Sequence, residues 1–267
     1  MIVWDGHVHT AHSDGEGTPE QIVRAALTRG LSSVTVTEHG PRHFYGPDVK
    51  KLRQEKQEVE RLKIAYRGKI NVFFGVEADL IGLDGSVDIT DEELSLFDEL
   101  VIGFHRAVIP KDFSSALGLW AGNVFLKNGR QIARNTLSAV NAITRFRPSI
   151  YAHAGEYIPV ELVPIAQAAV KAGTLIEINA HHLFPLEEQL CLAAKETDAL
   201  FVLSSDAHRI KDAGVVDEAL VLADRAGIDR ARIVNLKENY ADPAAPLVGQ
   251  AVYEKYRCKF GTEAVHK

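Results

Sequence analysis

The stretch Ile2-Val3-Trp4-Asp5-Gly6-His7-Val8-His9 reads as the first strand, and the rest of the chain is organised around it. Side chains alternate across a strand, so His7 and His9 point the same way and can grip one metal ion or two adjacent ones. The turn that follows, Thr10-Ala11-His12-Ser13-Asp14-Gly15, adds His12 and Asp14 as further candidate ligands. A His-x-His pair alone is more often a pair of surface side chains. What changes its meaning is the set of residues found at later strand ends.

Outward from that strand, Thr18 reads as an N-cap with Pro19 at the first helical position and Gln21 closing a capping box. The helix runs to Arg29 and Gly30 stops it. Strands are expected at Ser33–Thr37, Ile70–Val76, Leu100–Phe104, Ser149–Ala152, Thr174–Asn179 and Leu200–Ser204. Helices are expected between them, at about Asp48–Tyr66, Asp91–Phe97, Gly129–Phe146, Val160–Ala172 and Leu186–Thr197, then near Val215–Ala226. In the first of these helices Leu52, Val59, Leu62 and Ile64 are the apolar positions. Seven strands alternating with helices are the signature of parallel βαβ units. No Gly-rich phosphate loop follows the first strand, which speaks against a nucleotide-binding doubly wound sheet. Six of the seven strands end in His, Glu or Asp. Functional groups gather at the C-terminal strand ends of a barrel, so the expectation is an α/β fold, a distorted seven-stranded, TIM-like (β/α)7 barrel. One domain is expected over 1–267, with a C-terminal extension from about 237. The connection from Arg106 to Asn128 shows no clear periodicity and carries Phe113, Leu117, Trp120 and Phe125. Its length fits a substrate lid or a flap packed on the barrel wall.

The composition, with 46% apolar and 25% charged residues in 267, is that of a soluble globular protein. No run of 18 apolar residues occurs, so no membrane span is expected. The start shows neither a basic n-region nor an apolar h-region, so no signal peptide is expected. Cys191 and Cys258 lack zinc-type spacing, and Cys191 reads as a small buried side chain on a helix. This usage fits a cytoplasmic protein. The formal net charge of −6 argues against binding extended nucleic acid. It does not exclude an anionic small molecule, because bound cations invert the local field.

The informative excess is the eleven histidines. The candidate ligands are His7, His9, Asp14, His39, Glu77, His105, His153, Asp206 and His208. Nine nitrogen and oxygen donors exceed the needs of one ion, which takes about four to six. They suit two or three divalent ions, with Glu77 or Asp206 able to bridge. Without cysteine ligands, zinc, manganese and iron all fit.

The series His7-Val8-His9, Asp14-Gly15, Thr37-Glu38-His39-Gly40-Pro41, Gly75-Val76-Glu77-Ala78-Asp79, Gly103-Phe104-His105, His153 and Ser205-Asp206-Ala207-His208 resembles the polymerase and histidinol phosphatase (PHP) family. The resemblance spans about Met1 to Leu236 and is greatest to the small stand-alone phosphatase branch. It implies a trinuclear metal site and phosphoester hydrolysis. By position, one ion takes His7, His9, Glu77 and Asp206, a second takes Glu77, His105 and His153, and a third takes Asp14, His39 and His208. Glu38 stands where the family usually has Asp, and Ala154-Gly155-Glu156 replaces a more usual Pro-Gly sequence at the rim. His12 lies close enough to Asp14 to compete with it for the third ion.

The chemistry expected of such a site is hydrolysis of a small-molecule phosphomonoester, such as histidinol phosphate, a nucleotide or a sugar phosphate. Ions lower the pKa of bound water toward neutrality, so metal-bound hydroxide attacks and no protein nucleophile is required. No Gly-x-Ser-x-Gly elbow is present. Arg42, His43, Arg106 and Arg209 closely follow ligands and can bind the substrate's phosphate. His43, His181 or His182 can serve the leaving group as proton donors. Two alternatives carry the same ligands: an amidohydrolase-like C–N hydrolase, and a metal-binding regulatory module without turnover. The first usually needs a bridging modified lysine, and no strand end offers one.

Overall fold

The computed structural model describes residues 1–125 and 128–239. Seven strands pair in sequence order as one parallel sheet: β1 (Trp4–Val8), β2 (Ser33–His39), β3 (Asn71–Asp79), β4 (Glu99–Gly103), β5 (Ile150–Tyr151), β6 (Leu175–Asn179) and β7 (Phe201–Ser204). The ring closes beyond β7, where Val8 bridges Ala207 and the Asp206 N–H donates to the His7 carbonyl at 3.0 Å. The sheet is therefore a (β/α)7 barrel of TIM type, distorted where β5 contributes only two residues. No helix among the described residues is long and apolar enough to cross a membrane.

The helices are α1 (Pro19–Thr28), α2 (Val49–Ala65), α3 (Asp91–Leu94), α4 (Phe113–Ser115), α5 (Gly122–Phe125), α6 (Gly129–Phe146), α7 (Leu162–Ala172), α8 (Glu187–Glu196) and α9 (Asp217–Arg225). The capping box read at Thr18 and Gln21 is present, and Gly30 follows α1 at φ 83°. Gly173 ends α7 in the left-handed region, which glycine enters without a Cβ penalty. Every residue of β2 is buried, as expected when helices cover one face of a parallel strand and the barrel interior the other.

The lower barrel is filled by Trp4, Val101, Ile150, Leu175 and Val202. Trp4 Nε1 donates to Thr35 Oγ1 at 3.0 Å, and that hydroxyl donates to Glu99 Oε2 at 2.7 Å. Trp4 and His7 both face this interior although they are three residues apart, which strict alternation forbids. The β1–β2 register slips between Asp5 and Val8, and Gly6 sits at the slip. A Cβ on Gly6 would lie 2.6 Å from the Trp4 ring. The irregularity thus lets the strand plug the barrel floor with an indole and aim His7 and His9 at its mouth.

Three expectations need correction. The Arg106–Asn128 connection, read as lacking periodicity, is helical over Phe113–Phe125: α4 runs into a π-helical turn over Ala116–Ala121 and then α5. A π-turn has no 3.6-residue period, so the pattern was not visible. Ile64 is exposed, and Glu55 occupies a buried position on α2 instead. Cys191 is half-exposed, because its neighbour Leu190 takes the core-facing position of α8. Cys258 and the extension beyond Asn239 lie outside the described residues.

Candidate metal centre

All nine candidate ligands converge at the C-terminal mouth of the barrel. They form overlapping groups of donor atoms: His7, His9 and Asp206; Glu77, His105 and His153; and His9, Asp14, His39 and His208. Glu77, at the end of β3, is their centre. Its Oε2 lies 3.3 Å from His7 Nε2, 3.5 Å from His9 Nε2 and 3.1 Å from His39 Nδ1. Its Oε1 lies 2.8 Å from His153 Nε2 and 3.7 Å from His105 Nε2. Two oxygens of one carboxylate therefore face different histidine sets. The glycine at the end of β4 makes room for them, since a Cβ on Gly103 would lie 2.8 Å from Glu77 Oε1 and 3.0 Å from the His153 ring.

Two of the candidate ligands depend on unusual backbone. His153 has φ 27° and Asp206 φ 50°, both in the left-handed region that side chains disfavour. Such conformations cost on the order of 1–3 kcal/mol each and persist where the surroundings over-determine them. The His153 N–H donates to Glu177 Oε2 at 2.8 Å, and the Asp206 N–H bonds across the barrel seam to His7.

Hydrogen bonds behind the ligands fix which ring nitrogen faces the cluster. His7 Nδ1 meets Glu177 Oε1 at 2.8 Å, His105 Nδ1 meets Asp79 Oδ1 at 2.8 Å, and His208 Nδ1 meets the Asp206 carbonyl at 3.0 Å. Each acceptor places the proton on Nδ1 and turns the Nε2 lone pair inward, the arrangement that second-shell partners give metal-ligating histidines. Asn179 Nδ2 donates to both Glu177 Oε2 and Asp206 Oδ2. By contrast His9 Nδ1, His39 Nδ1, Glu77 Oε2 and Asp206 Oδ1 are buried with close polar neighbours, such as His39 Nδ1 beside Glu77 Oε2 at 3.1 Å, yet none of them is aligned in a hydrogen bond. Buried acceptors facing one another are costly unless a cation lies among them. This donor set fits divalent ions.

The electrostatics mark the same place as one that attracts positive charge. Burial works against a charged His7, but Asp206, Glu77 and Glu177 outweigh it and hold its pKa well above the ordinary value. Burial likewise opposes ionisation of Glu77, yet His105, His7 and other imidazoles hold it well below the usual carboxylate range. The same opposition, with His7 and His9 prevailing, depresses Asp206. His9 is pushed down to about 3 by burial and by neighbouring His39. The anionic carboxylates and a neutral His9 are the forms that bind metal.

The structure separates Asp14 from its rival. Asp14 lies 3.3 Å from both His39 Nε2 and His208 Nε2, whereas His12 turns to Glu58 on α2 at 3.3 Å. Of the substrate-binding candidates, His43 reaches the centre and stacks on His39 at 3.9 Å. Arg42 donates to the Pro110 carbonyl and Arg106 to the Tyr157 carbonyl, both at the rim. Arg209 turns away and pairs with Asp212 at 2.8 Å. His182 lies 3.4 Å from Asp206, while His181 is exposed beside His208.

Sequence reasoning gave no role to Glu177, Asp79 or Tyr157. A signal existed for Glu177, a carboxylate in the middle of the otherwise apolar run Leu175–Ile178. Tyr157 had none: it lies beyond β5 in an irregular segment, and its ring reaches His105, His153 and His182 at 5.1, 5.9 and 5.8 Å.

With this geometry established, comparison with known proteins is informative. The family model for the PHP domain matches residues 5–231. A protein named as a probable phosphatase from a Thermoanaerobacter species is 27% identical over 249 residues, covering 88% of this chain and 90% of its own. A probable phosphatase from Caldanaerobacter subterraneus is 26% identical over 243 residues, covering 88% and 87%. Among solved structures, the histidinol phosphate phosphatase of Lactococcus lactis, complexed with zinc, L-histidinol and phosphate, matches with a TM-score of 0.58 at 17% identity. That match covers 85% of this chain and 95% of the other, and it carries the fold.

Proposed function

The chain belongs to the PHP domain family, and from that premise we propose that it is a metal-dependent phosphoesterase hydrolysing a small-molecule phosphomonoester, its barrel being the one domain of the chain. The observation that carries the reading is Glu77, whose two oxygens face separate histidine sets in a pocket of buried polar atoms not aligned in hydrogen bonds. The relatives' name of probable phosphatase supports the reaction class. The zinc in the Lactococcus lactis protein supports the kind of cofactor.

Two to three divalent ions are proposed, with zinc, manganese and iron all compatible with the donors. His7, His9, Glu77 and Asp206 would hold one, Glu77, His105 and His153 a second, and Asp14, His39 and His208 a third. Bound there, the ions supply an activated water at neutral pH and offset charge on the phosphoryl oxygens. The protein's own groups do the rest. Glu177, Asp79 and the Asp206 carbonyl hold the histidine tautomers. His43 and His182 are both lowered to about 4, chiefly by burial, so at neutral pH they act as uncharged hydrogen-bond donors beside the ligands. Arg42 stands at the rim, where a guanidinium can meet free phosphate oxygens. Histidinol phosphate, nucleotides and sugar phosphates are the candidate substrates.

The test is a phosphatase screen after reconstitution with zinc, manganese or iron, including activated aryl phosphates. Hydrolysis of phosphomonoesters that a chelator abolishes is the expected result. A fully metallated protein that leaves every phosphate ester intact would refute the proposal.

A further inference from the structure

A cavity of about 380 Å³ opens beside the metal centre, lined in part by Arg106, Ile132, Glu156, Tyr157, Ile158 and Pro159. That volume is within the range of small-molecule sites. Its position ties it to the chemistry. Arg106 directly follows His105 in the chain, and the Tyr157 ring forms a wall shared with His105, His153 and His182. Glu156 Oε1 lies 3.6 Å from His182 Nδ1, and the other nitrogen of that ring lies 3.4 Å from Asp206. None of the nine candidate ligands lines the cavity itself, but Tyr157 belongs to both its wall and the ligand surroundings, which puts the cavity within a side chain's breadth of a molecule bound at the ligands.

The lining combines an apolar surface from Ile132, Ile158 and Pro159 with one cation and one anion. Among the described residues no ion pair joins Arg106 to Glu156. Arg106 is held from two sides. Its Nε and Nη2 donate to the Tyr157 carbonyl at 3.3 and 3.0 Å, and its own carbonyl accepts from Trp120 Nε1 at 3.1 Å. The two bonds to the Tyr157 carbonyl hold the guanidinium, and the Trp120 bond holds the Arg106 backbone. Separate, pre-positioned opposite charges over an apolar surface complement a ligand that carries both charges itself.

We propose that this cavity is the leaving-group subsite and that it selects a phosphomonoester of a hydroxy amino acid or similar zwitterionic alcohol, with Glu156 receiving the ammonium and Arg106 the carboxylate. The inference rests on the phosphoesterase reading above and narrows its substrate class. It also gives the helical insertion a role, since Trp120 and Asn123 brace and line this cavity.

Four esters test it as a square: O-phosphoserine, phosphoethanolamine lacking the carboxylate, 3-phosphooxypropanoate lacking the ammonium, and ethyl phosphate lacking both. Hydrogen bonds to charged groups predict that each charge raises kcat/KM by on the order of tenfold or more. Glu156→Gln should abolish the ammonium advantage in both pairs and keep the carboxylate advantage; Arg106→Gln should do the reverse. Metal content of both variants should equal that of the parent, which distinguishes lost recognition from a damaged centre. If the parent hydrolyses p-nitrophenyl phosphate but treats the four esters alike, this inference is overturned and the phosphoesterase reading stands. Persistence of the ammonium advantage in Glu156→Gln also overturns it. Hydrolysis of none of the five by the fully metallated protein would overturn this inference, and inertness toward nucleotides, sugar phosphates and histidinol phosphate as well would overturn both.

Discussion

Glu55 offers a quantitative test of how the third ligand group is held in place. It lies fully buried on α2, and its carboxyl meets Thr10 Oγ1 at 3.4 Å and the Glu38 carboxyl. Glu38 in turn accepts from the Thr10 hydroxyl at 2.6 Å and from Ser13, and so ties the turn carrying Asp14 to β2. Burial, and then the Glu38 charge, push Glu55 up to about 11 from an ordinary 4.5. Its folded pKa is therefore raised. The stability it contributes is full below about 4.5 and is lost as pH rises toward 11. At about 1.4 kcal/mol per pH unit, holding that proton at pH 7 costs about 3 kcal/mol relative to the unfolded chain. Glu55→Gln keeps the volume and a donor toward Glu38 without that cost. Thermal melts of metal-loaded protein should nearly coincide at pH 5. By pH 7 to 8 the variant should melt higher, by roughly 5–10 °C for a domain of this size. Parallel curves, or a variant less stable than its parent at pH 8, would refute the assigned protonation.

Three further outcomes follow from the geometry. Glu177→Gln places an amide where His7 Nδ1 and the His153 N–H now donate; metal affinity or turnover should fall by roughly 10–100-fold, read by metal titration and steady-state kinetics. Gly103→Ala drives a methyl against Glu77 and His153, so metal content should drop although no ligand is changed. Trp120→Ala leaves every ligand intact but removes packing on Phe104 and the bond to Arg106. It should lower stability by about 1–3 kcal/mol with unchanged metal content, and unchanged melting would show that the insertion does not pack as described.

The barrel was legible because its signals are local. β-branched runs, the Thr18 cap and a ligand-type side chain at successive strand ends can each be read within a few residues. The nine candidate ligands were read from the same regularity once strand ends were recognised, and the structure brings their side chains together at one mouth. What stayed hidden depends on contacts between distant segments. Asp14 and His12 are two residues apart, and only Glu58, 46 residues from His12, draws one of them away. Glu177 is defined by His7, 170 residues away. Arg209 is different: Asp212 lies three residues on, so its diversion from the site could have been anticipated from the sequence.

The central claim is a multinuclear centre built around Glu77, and metal stoichiometry measured together with turnover tests it most directly. Elemental analysis of anaerobically purified, reconstituted protein should give more than one metal equivalent per chain. Glu77→Gln should lower that content and reduce phosphatase turnover well beyond the ~100-fold upper range of second-shell changes. One equivalent or fewer in the parent, or full occupancy with near-normal turnover in Glu77→Gln, would contradict the account.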